Sequence, residues 1–150
     1  MFKRLSIVAL AALVAAIGPA SAQSKKDSVV VGMTLEPPGL DPTSAAAAAI
    51  AEVTLYNVYE TLTKINEDGS VSPLLAQSWQ ASSDLKSYTF KLAKGVKFQN
   101  GEAFDSSTVK FAFERAGAAN STNKDKALFL AMEQVTAPDA ETIEIKLKYS

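Results

Sequence analysis

The sequence predicts a mixed α/β (α+β) fold, in which short strands and helices follow one another. Three observations carry this. Tyr88, Phe90 and Leu92 alternate with Thr89 and Lys91, and Ile143, Ile145 and Leu147 alternate with Glu144 and Lys146, the period of two of a half-buried strand. Behind Asp105, an N-cap residue type, Val109, Ala112, Phe113 and Ala116 recur at the spacing of one helical face. After Thr43 and Ser44, a five-alanine run leads into a second apolar stripe. A length of 150 residues fits one domain or a piece of a larger one.

In chain order, Met1-Phe2-Lys3-Arg4 is a short basic start, and Leu5 to Ile17 is apolar but for Ser6. That run of about 13 residues is too short to cross a hydrocarbon core of roughly 30 Å. Gly18-Pro19 breaks it, and Ala20-Ser21-Ala22 has the small-residue form of a cleavage site, so residues 1–22 are expected to be a cleaved signal peptide. Gln23 to Asp27 is a polar lead-in. Ser28 to Thr34 is a continuous β-branched run, expected as a strand buried on both faces. Glu36-Pro37-Pro38-Gly39 ends it, because proline cannot donate to a ladder. Thr43 or Ser44 caps a helix expected from about Ala45 to Glu60, with Ala51, Leu55, Val58, Tyr59 and Leu62 on one face.

Thr61 to Ile65 is a short strand, and Asn66-Glu67-Asp68-Gly69 a turn. Val71 to Ala76 is a connector expected to make a single helical turn. Ser78 to Ala81, with Trp79, and the Tyr88–Leu92 run are expected to pair as an antiparallel hairpin across Ser82-Ser83-Asp84, their aromatics inward. Asn100-Gly101 is a tight turn before the helix from about Ser106 to Ala116. Gly117 to Lys126 is an exposed loop, Ala127 to Met132 a short helix, Pro138 to Glu141 a turn and Ile143 to Leu147 a final strand. Trp79, Tyr88, Phe90 and Phe113 are the expected core aromatics.

Composition excludes more than it selects. The chain has neither Cys nor His, which removes disulfides, thiolate or imidazole zinc sites, serine-histidine triads and a lipid-attachment cysteine. Of 15 basic residues, Lys3 and Arg4 leave with the leader, so a mature chain is mildly acidic against 16 carboxylates, with no basic stripe for nucleic acid. Glu36, Asp41, Glu52, Glu60, Glu102 and Asp105 show no acid–base spacing, and Asp105 has a sufficient role as a cap. No catalytic residue, metal site or cofactor is expected.

The order of motifs is itself informative. A leader and strand precede EPPGLDP (36–42), NVYETL (57–62), a DGS-V-PLLAQSW run (68–79), YTFKLAKGVKFQNGEAFDSSTVKFAFERA (88–116) and PDAETIEIKL (138–147). In this the chain resembles the N-terminal part of the family 5 extracellular solute-binding proteins of bacterial ABC transporters, the oligopeptide, dipeptide and nickel binding group. The resemblance implies a periplasmic binding protein fold of class II-like type, with residues 23–49 starting a first lobe and 50–150 forming an incomplete small extra domain. It implies a monomeric periplasmic receptor, not membrane-anchored once mature, that captures peptides or related small solutes and delivers them to ABC permease membrane subunits. The implied ligand contacts are Thr43, Ser44, Ala45, Ala46, Ala47 and Ala48, where an alanine run favours backbone over side-chain recognition. Family members are several times longer, so the chain reads as a truncated member lacking the second lobe. The alternative is a small free-standing secreted interaction module without a transport role.

Overall fold

The computed structural model describes residues 27–44 and 47–150. The expected leader, 1–22, and the alanines Ala45 and Ala46 lie outside the described residues. The chain divides into a unit ending at Thr34 and a second unit over Leu35–Ser150.

In the first unit, residues 27–34 form no strand, and every one is exposed, Val30 to 97%. This overturns the expected doubly buried strand at Ser28–Thr34. A β-branched run has the propensity for a strand, but a ladder needs a partner. Among the described residues no strand pairs with it.

The second unit is built on an antiparallel four-stranded sheet. Its strands are β3 (Ala76–Ala81), β4 (Ser87–Leu92), β5 (Met132–Asp139) and β6 (Thr142–Leu147), in the spatial order β3-β4-β6-β5. The expected hairpin is present: Trp79 lies opposite Phe90, their rings stacked at 6.4 Å. Phe90 in turn lies opposite Ile143, so the alternation legible in β4 and β6 becomes one row of apolar side chains across three strands. Helix α2 (Ser106–Gly117) lays Val109 on this sheet. Val109 joins Ala76, Leu92 and Ile143 in the buried core, with Phe90, Phe104 and Phe113 packed against it. Two of the four expected core aromatics, Phe90 and Phe113, therefore serve as expected. Trp79 and Tyr88 are half-buried like those two but stand outside that cluster.

The start of α2 follows the expectation closely. The Asp105 carboxylate accepts the Ser107 and Thr108 backbone N–H groups at 2.9 and 3.2 Å, and the Thr108 hydroxyl accepts the Asp105 N–H, a complete capping box. Asp105→Ala is expected to cost about 1–2 kcal/mol, read as a lower urea midpoint. Asp105→Asn, which can still cap, should recover most of it. A midpoint unchanged in the alanine variant would show that the cap is dispensable.

Three further expectations need correction. Helix α1 runs only from Ala48 to Thr54, not to Glu60. β-Branched Val53 and Thr54 weaken its end. The Asn57 amide takes the Val53 carbonyl, and Tyr56 enters the left-handed region at φ 63°. Val58 and Tyr59 thereby leave the helical stripe and are exposed. Val71–Pro73 is not part of a helical turn but strand β2, paired antiparallel with β1 (Thr63–Ile65) across the expected Asn66–Gly69 turn, where Gly69 has φ 81°. Finally, Pro138 and Asp139 belong to β5 rather than to a turn. Proline is tolerated there because β5 is an edge strand. The short helix before it, α3, spans Lys126–Leu130.

Candidate functional site

Residues 41–44 form a tight polar turn built on one carboxylate. Asp41 Oδ1 accepts both the backbone N–H and the hydroxyl of Thr43, at 2.8 and 2.7 Å. The Ser44 N–H and hydroxyl donate to the Asp41 carbonyl at 3.2 and 3.1 Å. Pro42 sits at the head of the turn, where its fixed φ costs no ladder bond. Asp41 Oδ2 accepts from the guanidinium of Arg115, in the last turn of α2, and the Ser44 carbonyl accepts the Thr122 hydroxyl from the loop after α2. Hydrogen bonding by the Thr43 hydroxyl, aided by the Arg115 charge, holds the Asp41 carboxyl below the ordinary carboxylate range.

Of the expected ligand contacts, Thr43 is half-buried in this turn and Ser44 is exposed on it. Ala45 and Ala46 lie outside the described residues. Ala47 is extended and half-buried, and Ala48 is the exposed first residue of α1. A cavity of about 610 Å³ opens elsewhere, between α2, the sheet and the segment after α1; Tyr59, Leu62, Phe90, Phe98, Phe104 and Phe113 supply its apolar walls. Of the described residues here, Thr43, Ser44, Ala47 and Ala48 line neither this cavity nor a second one of about 410 Å³ between α2 and β5. Among the described residues, no three carboxylates stand close enough to hold a metal ion. The chemistry available at 41–44 is hydrogen bonding by the Thr43 and Ser44 hydroxyls and by main-chain groups, most of it already spent within the turn and on Thr122. Sequence reasoning did not single out Arg115 or Thr122. Their partners lie 74 and 78 positions away, and no local spacing marks such pairs.

Comparison with known proteins places this architecture. The family model described as "Bacterial extracellular solute-binding proteins, family 5 Middle" matches residues 70–150. The chain belongs to this family. Among family 5 relatives, the glutathione-binding protein GsiB of Pectobacterium atrosepticum is 33% identical over 139 residues, covering 92% of this chain and 26% of that protein. The probable D,D-dipeptide-binding periplasmic protein DdpA of Escherichia coli is 34% identical over 138 residues, covering 85% of this chain and 25% of that protein. Among solved structures, NikZ from Campylobacter jejuni in complex with Ni(L-His) superposes with a TM-score of 0.66 at 26% identity, over 75% of this chain and 22% of that one. The chain thus spans about a quarter of the length of the family 5 relatives it matches. Its fold class is that of the family 5 periplasmic binding proteins, as the resemblance implied.

Proposed function

We propose that this chain is part of the periplasmic receptor of an ABC importer, which captures peptides or related small solutes and passes them to permease subunits in the membrane. The observation that carries it is the set of relatives that align with most of this chain and whose names each state a binding role: glutathione for GsiB and D,D-dipeptides for DdpA. Binding, not catalysis, is the activity proposed. Solute capture in this manner draws its affinity from excluding water around polar contacts rather than from reactive groups.

In this reading, residues 1–22 direct export and are removed, and the mature receptor is monomeric, not membrane-anchored and without nucleic-acid partners. Residues 23–49 begin a lobe, and 50–150 form a small extra domain. Thr43, Ser44 and the alanines Ala45 to Ala48 contact the solute, chiefly through the backbone. The polar turn at 41–44 and the small side chains beyond it support that assignment.

Uptake of labelled dipeptides, glutathione and nickel–amino-acid chelates, compared in source cells with and without the intact gene, tests the proposal. Loss of uptake of one solute class on deletion, restored by the gene in trans, is the expected result. Unchanged uptake of every class would overturn it.

A further inference from the structure

Two polar contacts reach the 41–44 turn from the same place in the fold, and stability does not account for them. The Asp41 and Arg115 side chains are 39% and 50% exposed. Exposed ion pairs contribute only about 0–1 kcal/mol. Thr122 is exposed as well. The turn is nevertheless held at both of its ends, by Arg115 on Asp41 Oδ2 and by Thr122 on the Ser44 carbonyl. Asp41 is divided between two tasks: one oxygen closes the turn through Thr43, and the other faces α2. Arg115 suits its position, because a cation at a helix C-terminus is favoured by the helix dipole.

The other end of α2 is bound to the sheet. The Ser106 hydroxyl donates to the Asp139 carbonyl, the Ser106 N–H donates to the Ala140 carbonyl at 3.0 Å, and Val109 is in the core. At 1.5 Å per residue, this helix is an arm about 18 Å long from a corner of the sheet to the turn.

We propose that Arg115 and Thr122 are positioning residues, which fix the Asp41–Ser44 turn, and with it the start of the solute-contacting segment, to the end of α2. The role in solute binding rests on the reading of residues 43–48 given above; the fixing of the turn does not. The Thr43 and Ser44 N–H groups and the Ser44 carbonyl are bonded within the protein, so what a turn held in this way fixes is the point from which the following segment starts, a form of pre-organisation.

The test uses the absence of cysteine in the chain. Spin labels are attached through Gly39→Cys and Asn120→Cys. Both sites are exposed, and a Cβ added at Gly39 meets no other atom within 4 Å. Pulsed electron-spin distance measurement on the full chain is expected to give one narrow distribution. The pair Arg115→Gln and Thr122→Val should abolish that narrowness, Thr122→Val alone should broaden it partly, and Arg115→Lys should retain it. The thermal midpoint should stay unchanged in every case. A distribution already broad in the parent, or equally narrow in the double variant, overturns the proposal. So does loss of the narrow distribution only in variants whose thermal midpoint has dropped. The distances require no solute, so failure of the transport reading would leave them standing and would appear in the uptake assay alone.

Discussion

Replacing Ile143 with alanine is expected to cost about 4 kcal/mol, the upper part of the range for an isoleucine enclosed on all sides. Ile143 is 0% exposed, on the inner strand β6, opposite Phe90 and packed with Ala76, Leu92 and Val109. Truncation removes its transfer free energy and leaves a hole that a hydrogen-bonded sheet cannot close. For a domain stable by roughly 5–15 kcal/mol, that is a large share of the total. Ile145, 7% exposed, should cost less, because it already borders the 610 Å³ cavity. Val30→Ala, at a side chain 97% exposed, should leave stability unchanged within about 0.5 kcal/mol. Urea unfolding of the three variants reads this directly. Similar midpoints for Ile143→Ala and Val30→Ala would mean that the core is elsewhere.

The second expected effect is acid destabilisation. Five aspartates share one geometry, in which the carboxylate accepts the backbone N–H two residues ahead: Asp41 from Thr43, Asp68 from Ser70, Asp84 from Lys86, Asp105 from Ser107 and Asp139 from Glu141, at 2.8–3.1 Å. Each carboxyl is held below the ordinary value of 3.8. The largest cause is a side-chain hydroxyl at four of them (Thr43, Ser70, Ser82 and Ser107 respectively) and the Glu141 N–H at Asp139. A carboxylate whose folded pKa is depressed contributes stability above its unfolded pKa and loses it as pH falls through the folded value. The urea midpoint should therefore be level from about pH 5 to 7, a window in which histidine would titrate but this chain has none. It should then fall below about pH 4. Asn at Asp105, which caps without titrating, should flatten part of that fall. A midpoint as high at about pH 3 as at pH 7 would contradict the mechanism.

The elements legible in the sequence were those with a local cause. β4 and β6 show a period of two without interruption, and α2 carries its own cap in Asp105. β5 was not legible because a bulge between Met132 and Gln134 offsets its inward residues to Met132, Val135 and Ala137, which breaks the alternation. The stripe at Ala51, Leu55, Val58, Tyr59 and Leu62 was a true apolar grouping assigned to the wrong backbone: after the left-handed Tyr56, its later members face the cavity instead of continuing a helix. The Asn66–Gly69 turn was read correctly, yet its implied second strand at 71–73 was not, since three residues ending in proline carry little strand signal of their own. At the candidate segment, the turn residues were visible in Asp41-Pro42-Thr43-Ser44, but not what holds them. Arg115 and Thr122 reach them only once the chain has folded.

The strand order also sets a timetable. β3 with β4, and β5 with β6, are neighbours in sequence and can zip as hairpins within microseconds. The seam that makes them one sheet joins β4 to β6, where Lys91 meets Thr142 across 51 positions. Closing so long a loop must precede any reward from Ile143, so the seam is expected to be the slow step, and this core cannot form until β6 is available. A chain emerging from synthesis therefore remains without this core until β6 is free.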